Sequence, residues 1–385
     1  MSKDEVLYDS HGRIQFGGAM KLEFSSQILE LPPREEHLEM LRDDCKKAFQ
    51  LKECEEGERY SEGQTFWMPA TATPRCELER LAQGIFAHHT RHARFDPSTS
   101  GAEWWTQHID TIDDIGFHFD RDYGLEEDGE LCHPLLGTVT YLSEVGGATV
   151  ILDMPGRNYP TSGSDGAVNC PLQSCVLSRP AVGKHITFDG LHLHGAPADL
   201  YEEETTSSSS EDDEDEDESD EEGDSKRPSR VTFLVNIWLN HVPTQAVPLD
   251  DDLAAVMGTP RTGSDGAACP VIFSQDPPSA VQTMVLSAQD DLHSARWALQ
   301  VQEQDCVIEL CLPAQQQLEA PFVAGAHTVI LQQSEGGARV RSTRLLASCH
   351  PVASSSSSSS NGSSNDRKPI DDEELALRDR KKPRL

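Results

Sequence analysis

A mainly β fold, a sandwich or jelly roll preceded by packing helices, is predicted by three observations on the sequence. From Trp104 onward the chain breaks into short apolar or alternating runs separated by Gly, Pro, Asp and Asn, the texture of strands and turns. Eight such runs follow one another, at 103–110, 115–120, 136–142, 147–152, 174–178, 184–188, 192–194 and 230–239, with no helix between them. Clear helical spacing lies ahead of them.

Residues 33–49 (PREEHLEMLRDDCKKAF) place Leu38, Leu41, Cys45, Ala48 and Phe49 on one helical stripe, with Pro33 suited to the first turn. A second helix is expected to open at Thr73 and Pro74, as cap and first residue, and to bury Leu78, Leu81, Ala82, Ile85 and Phe86. It runs into HHTRH, where protonated His88, His89 and His92 would suit a helix C-terminus.

A chain of 385 residues can bury a sizeable core, yet only 36% of them are hydrophobic and the mean hydropathy is -0.52. The net charge of -34 is concentrated: residues 202–224 hold fifteen acids and no base. The surrounding segment, 201–229, has one aromatic and no aliphatic side chain, so it cannot offset the entropy of ordering and is expected as a disordered acidic insert. Ser208, Ser209, Ser210 and Ser219 each stand three residues before an acid, a pattern suited to an acid-directed kinase. So acidic a chain would repel phosphate backbones, which weighs against bulk nucleic-acid binding. No window is apolar enough to span a membrane and MSKDEVLYDS is too polar for a secretory signal, so a soluble protein of the cytoplasm or nucleus is expected. Ten cysteines without a CxxC fit reduced core thiols.

Beyond residue 240, VQTMVLS, RWALQVQ, CVIELCL, HTVILQQ and RVRSTRLL read as further strands, either a separate module or additions to the main sheets. The expected organisation is N-terminal flanking helices over 1–102, a β core over 103–245, a C-terminal β-rich module or extension over 246–350, and a Ser-rich, basic tail over 351–385. The tail ends in RDRKKPRL, a basic cluster that can serve nuclear import, and PRL only weakly resembles a peroxisomal address.

The chemistry concentrates in three stretches. IGFHFDRDYG, residues 115–124, sets His118 and Asp120 two positions apart, so that on a strand both point the same way while Phe119 packs outside. GKHITFDGLHLHGAP, residues 183–197, reads as a strand, a turn at Asp189 and Gly190, and a short strand ending in His194, with His192 on the same face as a rival. SRVTFLVNIWLN then puts Arg230 at the head of a long apolar strand, with Thr232 on the same face. Two histidines and a carboxylate form the facial donor set of non-haem Fe(II), and a cation deep in a barrel suits a ligand with a far carboxylate. An HxD alone is a weak signal in a chain with 15 histidines and 66 acids; the ordered set of motifs is far more specific.

On these residues the chain resembles the 2-oxoglutarate and Fe(II)-dependent dioxygenase superfamily, especially its prolyl and lysyl hydroxylase-like branch. GTVTYLSEVGGATVIL resembles that branch's strand and GG turn after the HxD, LHLHG its distal histidine, and SRVTF its arginine strand; the resemblance covers roughly 103–240. It implies a double-stranded β-helix (jelly roll), with His118, Asp120 and His194 as Fe(II) ligands and Arg230 and Thr232 holding the cosubstrate 2-oxoglutarate. It further implies O2 as the other cosubstrate, with ascorbate as an optional reductant. The match of HLHG favours His194 over His192. The gap from 194 to 230 is longer than is usual in the family, and the acidic insert accounts for it, because closure cost grows only logarithmically with loop length.

The implied activity is hydroxylation of a C–H bond, with a protein side chain as one substrate class and the acidic insert as a feature that could attract a basic protein. A non-catalytic β-barrel binding module that retains metal ligands, and a zinc hydrolase or isomerase, are the rival readings; neither needs Arg230. His185 is expected to be packed or at the surface. Trp104 and Trp105 are expected to include at least one core residue, with Gln107 or His108 as pocket contacts.

Overall fold

The computed structural model describes residues 7–32, 34–50, 64–127, 129–155, 168–198, 228–264, 266–286, 292–301, 304–333 and 346–351. The described residues all belong to one compact unit, and 353–385 lie outside them. So do most of the acidic insert, with its serines, and the basic tail.

The first hundred residues supply β1 (Gly17–Gly18), β2 (Ser25–Leu29), α1 (Glu35–Gln50), β3 (Phe66–Pro69), α2 (Glu77–Thr90) and β4 (Ala93–Arg94). Strands then dominate: β5 (Gly101–Asp110), β6 (Ile115–His118), the short α3 (Tyr123–Glu127), β7 (Leu136–Tyr141), β8 (Thr149–Pro155), β9 (Val168–Pro171), β10 (Ser174–Ser178), β11 (Lys184–Asp189), β12 (His192–Ala196) and β13 (Ser229–Trp238). After them come α4 (Asp251–Val256), β14 (Phe273–Gln275), β15 (Val281–Leu286), β16 (Leu292–Val301), β17 (Gln304–Pro313), α5 (Gln315–Val323), β18 (Thr328–Gln333) and β19 (Leu346–Pro351).

The fold is mainly β, and two large sheets organise it. The first runs β14-β2-β11-β7-β13-β5-β3 and is antiparallel throughout. The second runs β15-β18-β10-β8-β12-β6 and is antiparallel except at the β15–β18 pair. A smaller sheet, β16-β17-β19-β9, completes the C-terminal part.

Strand periodicity decides what each face buries. On β13, Val231, Phe233, Val235 and Ile237 join Ala102 and Trp104 of β5 against the helical stripes of α1 (Leu38, Leu41, Cys45) and α2 (Leu78, Leu81, Ile85). The opposite face of the same sheet carries Trp105, Val139, Tyr141, Ile186, Phe188 and Leu234, which pack on Ile151 and Val176 of the second sheet. The outer side of that second sheet presents Val150, Leu152, Leu177 and Leu193, covered by Leu310, Leu312, Leu318 and Phe322 from the C-terminal part. Each such apolar side chain taken out of water contributes about 1.5–3 kcal/mol. Among the described cysteines none is paired, and Cys45, Cys76, Cys132 and Cys175 are buried thiols. No described helix is long and apolar enough to cross a membrane.

Three local expectations change. Helix α2 opens at Glu77 rather than at Pro74, because Glu79 reaches back to accept from the Arg75 backbone N–H (2.7 Å) and fixes Arg75 ahead of the first turn. Strand β6 stops at His118, so Asp120 lies in the segment after it. His88 and His89 at the end of α2 are not charged caps. His89 Nε2 lies 3.0 Å from His185 Nε2, and His185 Nδ1 lies 2.8 Å from Thr140 Oγ1, in a cluster closed by Phe273. Burial holds the pKa values of His88, His89 and His185 below the ordinary histidine value, and the Arg91 guanidinium instead donates to the His88 carbonyl (2.6 Å).

This histidine pair makes stability pH-dependent. Above the unfolded pKa of about 6.5 both states hold neutral rings; below it the unfolded chain takes up protons that the folded pair refuses, so stability falls with pH. Buried His185 alone gives a slope of up to about 1.4 kcal/mol per pH unit. The urea midpoint should therefore drop between pH 7.5 and 5.5, and drop less in His185→Gln; identical slopes in the two proteins would refute the assignment.

Candidate metal centre

His118 closes β6 and His194 sits inside β12, and the two strands pair so that these residues stand directly across from one another. Their ring centroids are 4.4 Å apart. His118 Nδ1 lies 2.8 Å from the Gly116 carbonyl oxygen and His194 Nδ1 lies 3.0 Å from that of His192. A carbonyl only accepts, so each Nδ1 carries the proton and each Nε2 presents its lone pair. Both lone pairs meet Asp120: His118 Nε2 is 3.7 Å from Oδ1 and His194 Nε2 is 3.5 Å from Oδ2. One ligand atom from each of the three residues falls within 4.8 Å of the others, and this is the cluster among the described residues that can hold a metal ion. The donor set of two imidazoles and one carboxylate suits Fe(II), and tying down Nδ1 is the usual way a ligating ring is oriented.

Asp120 is placed by its neighbours. His133 Nδ1 donates to the Asp120 carbonyl oxygen (2.8 Å), and the Asp122 backbone N–H donates to the Cys132 carbonyl (2.8 Å). The buried Asp122 carboxylate accepts from His241 Nε2 (2.8 Å), from the Thr244 backbone (3.0 Å) and from the Thr244 hydroxyl. The loop after β6 is thereby pinned to the chain beyond β13. Neither His133 nor His241 stands out in the sequence, because His133 bonds the Asp120 backbone and His241 the Asp122 carboxylate, both from distant positions.

His192 is not part of the cluster; it occupies the first position of β12, opposite Pro155, and burial lowers its pKa. Phe119 packs outside, with the apolar cover of the second sheet. Phe188, on the inner face of β11, lies 4.7 Å from the His194 ring.

Arg230 and Thr232 lie on the inner face of β13, across from Ile109 and Gln107 of β5. Arg230 is 3% exposed and donates to Gln107 Oε1 and Thr149 Oγ1, each at 3.1 Å, while its buried Nε has no hydrogen-bond partner among the described residues. Thr232 Oγ1 also donates to Gln107 Oε1 (3.1 Å). Tyr141 stacks below the guanidinium at 5.8 Å and donates to Thr149 Oγ1 (2.7 Å). Burial pulls the Arg230 pKa down, and among the described residues no acid offsets its charge. The GG turn has a steric reason: Gly146 has φ +102° and a Cβ there would lie 2.7 Å from the Arg230 side chain. Of the two tryptophans, Trp104 packs under the helices and Trp105 faces the inter-sheet core; Gln107 is inward and His108 is half-buried on the other face.

No family model and no curated protein matches the sequence. Solved structures that resemble it include iron-bound HygX from Streptomyces hygroscopicus, at 11% identity and TM-score 0.31, covering 65% of this chain and 93% of that one. Another is the non-haem α-ketoglutarate-dependent epimerase SnoN from nogalamycin biosynthesis, at 12% identity and TM-score 0.29, covering 64% and 92%. Likeness of this size does not establish a shared fold.

Calorimetric titration with Fe(II) under anaerobic conditions tests the donor set. His118→Ala and His194→Ala should each weaken binding about 100-fold or more, and His192→Ala by less than about threefold. Equal losses in His192→Ala and His194→Ala would reassign the third donor.

Proposed function

We propose that the chain is an Fe(II)- and 2-oxoglutarate-dependent dioxygenase that hydroxylates a C–H bond, with a protein side chain as the substrate class its resemblance favours. The observation that carries this reading is the pairing of a His118, Asp120, His194 donor set with a buried, uncompensated Arg230 on an adjoining inner face. A zinc hydrolase has no fixed dicarboxylate to neutralise there, and a module without turnover needs neither half of the combination.

Strand order supports a double-stranded β-helix. From β5 to β8 the chain alternates between the first and second sheets, and from β10 to β13 it does so in reverse sense, giving inner orders β11-β7-β13-β5 and β10-β8-β12-β6. Two interleaved Greek keys, as in a jelly roll, would produce that connectivity.

Fe(II) held by the three donors would supply the oxidising chemistry, in which O2 and 2-oxoglutarate yield succinate, CO2 and a hydroxylated product. The chain's own residues do the positioning. Arg230 offers its guanidinium to the far carboxylate of 2-oxoglutarate, and that anion would offset a charge which burial otherwise penalises. Thr232 and Gln107 fix the approach through the hydrogen bond they share. The apolar inner face of Trp105, Val139, Ile186 and Leu234 excludes water around it.

Anaerobic loading with Fe(II) and 2-oxoglutarate, followed by oxygen and measurement of succinate, tests the reading. Wild-type protein should give iron-dependent succinate, His118→Ala essentially none, and Arg230→Ala a rise of about tenfold or more in the 2-oxoglutarate concentration required. Succinate at wild-type level from His118→Ala, or absence of 2-oxoglutarate binding to the iron-loaded protein, would sink it.

A further inference from the structure

A cavity of about 660 Å³ opens at the end of the two large sheets that is remote from the metal centre. Its walls are the end of α2, strand β2 with the segment before it, and the link from β14 to β15. Strands β14 and β15 are terminal in their sheets, and in the second sheet β18, β10, β8 and β12 separate β15 from β6. Five strand spacings put roughly 24 Å between β15 and β6, so the cavity is distinct from the donor cluster.

Two side chains on its wall, Ser26 and Asp276, have polar atoms without partners. The antiparallel register of β2 with β14 sets Gln275 across from Gln27, and continued by one residue it sets Asp276 across from Ser26. Cross-strand neighbours share a face, with Cβ atoms about 5 Å apart. Ser26 Oγ and both Asp276 carboxylate oxygens are buried, and none has a hydrogen-bond partner among the described residues. Lys184 is near enough for the Asp276 charge to act on it, yet its three N–H groups go elsewhere, to the Arg179 and His327 carbonyls and to Thr328 Oγ1. A carboxylate taken out of water needs donors, and the described residues supply none. Asp276 as a whole is half-buried and has no hydrogen bond to lose, so rotation about its side-chain bonds brings the carboxylate to the cavity.

The rest of the lining narrows the kind of donor. Met20, Pro277, Pro278 and Val281 add apolar surface, which suits the stem of an organic cation better than a bare metal ion. Lys21, Glu23 and Arg91 also line the cavity, but they are exposed and mixed in sign, so water and salt screen them. A planar guanidinium gives two parallel N–H groups to a carboxylate and keeps others for a hydroxyl beside it. We propose that this cavity binds a guanidinium group, with Asp276 taking the two-pronged contact and Ser26 Oγ accepting a further N–H. Its carrier is a free guanidino compound or an arginine side chain of another protein, and the contact at Asp276 is the same for both. Binding here involves no oxidation and stands independently of the oxygenase reading.

The test titrates the metal-free full chain with methylguanidinium, methylammonium and inorganic phosphate, read by saturation-transfer NMR. Wild-type protein should bind methylguanidinium about tenfold more tightly than methylammonium and should not bind phosphate. Asp276→Asn should lower methylguanidinium affinity about tenfold, and its melting temperature should match or exceed that of wild type, because the carboxylate makes no bond in the free protein. Ser26→Ala should cost about threefold, and it carries the test if Asp276→Asn does not fold. His118→Ala should bind methylguanidinium as wild type does. Failure of wild type to bind it, which would mean that water serves the carboxylate, overturns the proposal. So does equal affinity for methylammonium, a preference for phosphate, undiminished affinity in folded Asp276→Asn, or loss of binding in folded His118→Ala. L-arginine and N-acetylarginine N-methylamide then separate the two sources. Tighter binding of the free amino acid assigns a small molecule, and tighter binding of the capped residue assigns an arginine within a protein chain.

Discussion

The antiparallel ladder between β6 and β12, with His194 across from His118, is the contact on which the rest of the site depends. Cross-strand partners leave a sheet on the same face, so a single register brings the two imidazoles together. The same local device orients both rings: each Nδ1 hydrogen-bonds the carbonyl two residues back on its own strand, Gly116 for one and His192 for the other. A slip of one residue would turn one ring toward the apolar cover of Leu310 and Phe322 and remove its lone pair from Asp120. The third donor needs separate support because its strand has already ended, and His133 and the Asp122 network provide it.

The inner face of β13 carries a second constraint. Arg230 stands near one end and Asn236, with its partner Glu103, six residues further along, a span of about 20 Å at strand rise. Opposite charges at that separation do little to neutralise one another, so each is paid for by the packing of the two sheets around Leu234, Val139 and Ile186. Apolar replacements of similar size would be the more stable choice at both positions. Their presence concentrates polar chemistry at two points on an otherwise apolar wall.

Much of this was legible in the sequence, for reasons of period. Strand runs such as LGTVTYL, SCVLS and SRVTFLVNIW sit within a residue or two of β7, β10 and β13, because alternation and turn residues mark both the body and the ends of a strand. His118, Asp120 and His194 could be brought together by their order along the chain, and Arg230 and Thr232 share a face because they stand two positions apart on a strand. What stayed hidden depended on distant partners. The neutrality of His88 and His89 follows from burial under β14, which helix position alone does not reveal. Asn236 was accessible in principle, being even-spaced from Arg230, but Glu103 gains meaning only from the β5–β13 register that sets it opposite. Asp120 looked like a strand residue, since nothing local announces that β6 loses its place in the sheet after His118.

The order in which the sheets fill has a consequence for how the molecule comes into being. Strand β10 pairs on one side with β8 and on the other with β18, whose residues follow it by some one hundred and fifty positions, as in Ser178 and Thr328. The first sheet shows the same trait, with β2 lying between β11 and β14. Contacts of such sequence separation form late and slowly, because long loops must close before they are rewarded. A chain emerging from the ribosome would therefore expose the histidine-bearing sheet with its outer face bare until the segment through β18 had been made. An arrested chain would present sticky strand edges in place of the assembled His118, Asp120 and His194 cluster.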